Sequence, residues 1–388
     1  GYAFQGCNLI KEIELPSCIP IIEDNCFEGC SSLQHITIPD SVTMIEGYAF
    51  KDCTSLTKIT IPSSVKLVRK GAFKGCTSLE EIIIPSSLSS IEKFCFEDCI
   101  SLKEIKIPSS VKSIQKSAFK NCSSISQIEI PSSVKRIYMK CFEGCSSLKQ
   151  VKLSSSLNSI DEYLFKGCTS ITQFVIPSTI KVIKYGAFRD CTSLTEIEIP
   201  STVTEIQDSV FNGCKSLIKV SIPSSITVIS DYLFCNCTSL KEVELSPSVS
   251  EIRYFAFYGC SVLSKISIPS SLTKIGMFAF SGCSLLPQST FSIEVSTKEN
   301  NIKSINNVNN DNQIESIQDY IQNKKEIYKK VISYLESNED KDEDLIELIQ
   351  FFREKGIPQN SYKLIELLNL LSRISKNHCP TTYLFTKT

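Results

Sequence analysis

The chain has 388 residues, 42% of them hydrophobic and 21% charged, with a formal net charge of −1. It has no run of about 18 apolar residues, so no helix long and apolar enough to cross a membrane is predicted. The charge is balanced in both halves of the chain, which leaves no bulk attraction for nucleic acid or an anionic membrane.

The first element in chain order is a repeat. Phenylalanine recurs every 23 residues from Phe4, Phe27 and Phe50 through to Phe280, without an insertion, and a cysteine follows three residues behind each, from Cys7 to Cys283. A fixed period over thirteen units predicts a solenoid whose coils stack only on their neighbours. Within a unit, Leu33, Ile36 and Ile38 recur as Leu56, Ile59, Ile61 and as Leu79, Ile82, Ile84. This spacing predicts a short parallel strand with its aliphatic residues inward. Proline follows in most units (Pro39, Pro62, Pro85) and turns the chain out of the ladder. Val42 with Ile45, repeated as Val65 with Val68, predicts a second short inward segment. The Ala-Phe pair predicts a third side built as a single helical or 3₁₀ turn. The residue before each column cysteine is Gly, Asp or Asn in every unit, from Gly6 and Asp52 to Gly282. These types enter the left-handed region most readily, so a turn with positive φ is expected there.

Residues 1–292 are expected to form this β-rich solenoid of 13 coils. Residues 293–313 are expected to be an Asn-rich linker, and 314–388 a small all-α segment carried by Ile314, Ile317, Leu345, Phe352, Tyr362 and Leu368. The chain opens at Gly1 inside a repeat. It is therefore read as a fragment whose first coil exposes a core face, with end-to-end self-association expected.

The motif L-x-x-I-x-I-P-x-S-V-x-x-I, followed by A-F-x-G-C, resembles the BspA-like leucine-rich repeat of the 23-residue class. Ser154 and Ser246 replace its proline in two units. The resemblance implies a curved solenoid with a parallel sheet on its concave side. It also implies a surface antigen or adhesin that binds a protein or glycoprotein.

Thirteen stacked cysteines raise disulfides or metal. Parallel Cβ vectors make bridging between neighbouring coils unfavourable, so buried free thiols acting as small hydrophobes are expected. Cys235 and Cys237 have no C-x₂-C pair and no nearby histidine, so no metal and no cofactor are expected. The only histidines are His35 and His378, without orienting partners for acid–base or nucleophilic catalysis, so no enzymatic activity is expected. Asn121-Cys-Ser and Asn236-Cys-Thr match a glycosylation sequon, but both asparagines fall in the left-handed column, and the structural explanation is preferred.

The outward strand positions form the candidate concave binding face: Glu12, His35, Lys58, Glu81, Glu104, Gln127, Gln150, Gln173, Glu196, Lys219, Glu242 and Lys265, with Lys106 in the next outward column. Mixed charge on a long sheet suits a protein partner, and a merely solvated face is the alternative. Two residues before the phenylalanines lies a candidate aromatic stripe of Tyr48, Phe94, Tyr163, Tyr232, Phe255 and Phe278. These rings either pack over the turn or offer an adhesive surface. A non-enzymatic protein-binding scaffold is the expected function, on the cell surface as the resemblance implies. An intracellular adaptor, favoured by abundant unpaired cysteine and a tail without an anchor, is the alternative.

Overall fold

The structure is a computed structural model that describes residues 1–287 and 290. The coil that begins at Leu56 shows why the sequence folds as it does. Leu56, Ile59 and Ile61 are buried, while Lys58 and Thr60 face solvent. That alternation makes Lys58–Thr60 a three-residue strand, paired parallel and in register with Glu81–Ile83 one coil on. Eleven such strands run from Glu12–Glu14 to Lys265–Ser267, and a bridge between Glu81 and Glu104 fills the position of a twelfth. The Val-x-x-Ile segment supplies a second ladder of twelve two-residue strands, from Ile21–Ile22 to Lys274–Ile275. The described residues are thus a parallel β-solenoid with a period of 23 residues.

The proline corner closes with a turn in which the Val42 N–H donates to the Pro39 carbonyl at 3.0 Å. Where serine stands instead, its hydroxyl performs an equivalent task. Ser154 Oγ accepts the Ser156 N–H at 3.0 Å, and Ser246 Oγ accepts the Ser248 N–H at 3.1 Å. A side-chain turn of this kind holds the corner without a fixed pyrrolidine ring.

The third side departs from the helical or 3₁₀ expectation: it is a run of turns with no helix in the coils. Two left-handed residues, four apart, interrupt any helical path, such as Tyr48 at φ 56° and Asp52 at φ 58°. The backbone instead divides its donors. The N–H groups of Tyr48, Phe50 and Asp52 reach the carbonyls of Lys70, Ala72 and Lys74 in the next coil, at 2.8–2.9 Å. Those of Lys51 and Cys53 close turns onto Tyr48 and Phe50 within the coil, at 3.0 and 3.2 Å. A third inter-coil ladder results, alternating with turns closed inside each coil.

Inside the coils, all thirteen column phenylalanines stack in one unbroken row. Successive ring centroids lie 5.2–5.8 Å apart, and most rings are within about 12° of parallel. The expected linker and helical segment lie outside the described residues, as do residues 288, 289, 291 and 292 of the expected solenoid span.

Phe142 is fully buried between Phe119 and Phe165. Phe142→Ala is expected to cost about 3–5 kcal/mol, read as a lowered denaturant midpoint. Phe4→Ala should cost less, because Phe4 is only half-buried and stacks on one ring.

Candidate functional site

The outward strand positions pair with their counterparts one coil on in blocks, Glu12 with His35, Lys58 through Glu81 to Glu104, Gln127 with Gln150, and Gln173 through to Lys265. All but Glu242, which is half-buried, are exposed, as is Lys106 in the neighbouring column between Ile83 and Glu129.

Much of this face is neutralised within itself. Lys58 pairs with Glu81 at 3.1 Å and Lys152 with Glu129 at 2.6 Å. Toward the last coils, Lys219 holds Glu244 at 2.6 Å and Glu242 at 3.6 Å, and Lys265 closes onto Glu242. The Glu244 hydrogen bond raises the Lys219 ammonium above its ordinary value. The Lys265 and Lys219 hydrogen bonds hold Glu242 and Glu244, respectively, below theirs. Between the paired ends, Gln127, Gln150 and Gln173 carry amide groups with no hydrogen-bond partner among the described residues. Val175, two residues from Gln173, is 80% exposed, and Ile83 is 54% exposed further along the same outward column.

The aromatic positions resolve differently. Tyr163, Tyr232 and Phe255 are buried, so these three are packing residues and offer no contact area. Tyr232 stacks on Phe255 at 5.0 Å, Phe255 on Phe278 at 5.1 Å, and Tyr163 meets Tyr185 edge-on at 4.9 Å. Tyr48, Phe94 and Phe278 are half-buried. All six residues have φ between 53° and 59°.

This is a second left-handed column, beside the one before the cysteines, and the sequence reading missed it. Aromatic residues gave no hint of positive φ. The only signal was the set of alternative occupants, Asn25, Gly71 and Gly186. Left-handed backbone costs about 1–2 kcal/mol for such a residue, and a buried aromatic ring offsets it. Gly71 and Gly186 are needed where the preceding ring lies across the backbone: a Cβ on Gly71 would sit 2.3 Å from the Tyr48 ring, and one on Gly186 2.8 Å from that of Tyr163. The expected left-handed column is present in every coil, from Gly6 at φ 71° to Gly282 at φ 81°. It includes Asn121, whose side chain donates to Asp98 at 2.9 Å, and Asn236 at φ 58°.

The cysteines are free thiols with a specific partner. From Cys30 to Cys283, each column Sγ donates to the carbonyl of the phenylalanine 26 residues earlier, at 3.0–3.2 Å. Burial pushes the Cys30 thiol up to about 11 and Cys145 up to about 12, and raises the other buried column cysteines too. The thiolate is the reactive form, so these groups are chemically quiet. Cys18 is the exposed cysteine among the described residues. No group of three His, Cys, Asp or Glu side chains among them is placed to hold a metal ion.

The family described as BspA type Leucine rich repeat region matches residues 1–126, 112–238 and 204–329, in six copies. Among solved structures, a leucine-rich repeat protein from Bacteroides ovatus is 29% identical, with a TM-score of 0.50, over 63% of this chain and 81% of that one. A leucine rich cell surface protein from Faecalibacterium prausnitzii is 30% identical, with a TM-score of 0.53, over 72% of this chain and 78% of that one. The sequence has no match among the curated proteins.

Two outcomes follow from this geometry. Alkylation of the native protein near pH 8, mapped by mass spectrometry, should label Cys18 first and reach Cys145 only on unfolding. Gly71→Ala should lower the melting temperature through both its φ of +61° and the ring contact. Adding Tyr48→Ala should recover the contact part, seen as non-additivity in a double-mutant cycle.

Proposed function

Because the chain belongs to the BspA-type leucine-rich repeat family, we propose that it is a non-enzymatic scaffold. It recognises a protein or glycoprotein across the outward face of its three-residue strands, as an adhesive cell-surface antigen. The observation that carries this reading is the stretch around Gln127, Gln150, Gln173 and Val175. There, unpaired amides and an exposed valine lie beside the Lys152–Glu129 pair, with the paired cluster around Lys219 further along the face.

The physical argument is one of desolvation. An ion pair such as Lys152 with Glu129 is already satisfied and gains little when a partner covers it. A glutamine amide offers two donors and an acceptor that a partner can complete, and exposed valine gives apolar area. A column in strict register adds multipoint complementarity along the stacking axis, with about 4.8 Å between contacts. The surface role is supported by the likeness to the Faecalibacterium prausnitzii protein, whose name describes a cell surface protein. An intracellular adaptor is the second reading, and the observation that favours it is the large set of free thiols.

Antibody staining of intact and then permeabilised source cells separates the two. Signal on intact cells is expected, and signal only after permeabilisation would leave the adaptor. On the protein itself, replacing Gln150, Gln173 and Val175 together by alanine should weaken ligand binding at least tenfold with an unchanged melting temperature. Glu12→Ala should leave binding unaltered. Equal losses from both would move the site off this stretch.

A further inference from the structure

The overall charge balance conceals a local excess on a different side of the coil. Segments 66–70, 89–93, 112–116 and 135–140 occupy the second ladder and the turn that follows it, in four consecutive coils. Together they carry nine Lys or Arg residues and one acid, Glu92. The equivalent segments on either side are acidic and contain no cation: Glu23 and Asp24 at 20–25, Glu46 at 43–48, and Asp161 with Glu162 at 158–163. The basic block is therefore bounded, about 15 Å along the stacking axis at a strand spacing of ~4.8 Å.

The register stacks like charge on like charge. The Lys135 N–H donates to the Lys112 carbonyl at 2.9 Å, which sets these two side chains one above the other in adjacent coils. Lys70, Lys93 and Lys116 form a second row. Each supplies the carbonyl that holds the preceding coil's left-handed residue, at 2.8–3.0 Å. Like charges directly opposite one another in a sheet are destabilising. The same chain places Lys against Glu at most charged steps of the first ladder, as at Lys58–Glu81 and Glu129–Lys152. Here it does not. Lys93, Lys112 and Lys135 have no acidic partner among the described residues, and all three are exposed.

We propose that this basic face binds a linear sulfated polysaccharide. A line of anionic groups laid along the stacking axis neutralises each row in turn and releases its counterions. Aromatic rings hold part of the array in place. Lys70 lies over the Tyr48 ring at 5.3 Å, Lys116 over Phe94 at 5.7 Å and Arg136 over Tyr138 at 4.4 Å. Cations fixed in this way lose less freedom on binding.

The surroundings disfavour two other polyanions. Single-stranded nucleic acid is held by bases stacking on open aromatic faces. Those of Tyr48 and Phe94 are each engaged by two lysines, Lys51 with Lys70 and Lys74 with Lys116. A lipid surface calls for apolar side chains that enter it, and none of the large exposed apolar residues falls in these four segments.

The test uses the full chain and a size-defined heparin oligosaccharide as probe, with binding measured across a salt series. Wild type should bind, and log Kd should rise linearly with log salt concentration. Lys93→Glu, Lys112→Glu and Lys135→Glu combined should abolish retention at physiological salt. The corresponding Gln triple should lower the salt slope by about 3, about one unit for each charge removed. Neither triple should lower the melting temperature, since stacked repulsion is relieved. Lys11→Glu, Lys149→Glu and Lys241→Glu combined make the same change in net charge on exposed residues elsewhere, and should bind as wild type. An equal loss from this control set would overturn the site. Equal affinity for the desulfated oligosaccharide, a single-stranded RNA or phosphatidylserine vesicles would overturn the ligand class.

Discussion

From Phe4 to Phe257, each phenylalanine carbonyl in the column accepts two hydrogen bonds, and the solenoid depends on that double acceptance. Phe27 receives the Cys30 backbone N–H at 3.1 Å, which closes the turn in its own coil. It also receives the Cys53 thiol from the next coil at 3.1 Å. In return, the Phe27 N–H reaches forward to the Ala49 carbonyl at 2.8 Å. Every coil is thus clasped to the next in both directions at one point. A thiol suits the position because it supplies a donor while remaining small and largely apolar in a dry interior.

The clasp also explains the strict period. An inserted residue would move a cysteine away from its carbonyl, a ring out of the phenylalanine stack, and a left-handed residue out of its turn. Each would leave a buried polar group unpaired or a core gap. Because the interior tolerates so little, its columns exchange mainly small or apolar residues, and variation in charge falls on the outward positions. The coils there become a set of independent surfaces in fixed register.

Two of these surfaces follow opposite electrostatic rules. On the first ladder Lys58 with Glu81, Lys152 with Glu129 and Lys219 with Glu244 satisfy one another, while Gln127, Gln150 and Gln173 keep unpaired amides. The second ladder, between residues 66 and 140, accumulates cations in register and leaves Lys93, Lys112 and Lys135 without an acidic partner among the described residues. A backbone that places every column at the same spacing gives both outcomes the same geometric precision. Which one appears depends only on the order of the residues along the column.

The sequence by itself determined the period, the inward set Leu56, Ile59, Ile61, Val65 and Val68, and the left-handed residue before each cysteine. It could do so because apolar alternation and the small set of residues at ease with positive φ are local properties. It also placed Gln127, Gln150 and Gln173 on one outward column. Only the tertiary structure decided the rest. The third side became a ladder because its donors are shared with a neighbouring coil, a choice no single repeat reveals. Tyr163, Tyr232 and Phe255 proved buried in a left-handed turn because ring packing between coils outweighs a backbone preference that would have excluded them. The basic face depends on residues 23 apart becoming neighbours, so a net charge of −1 could not disclose it.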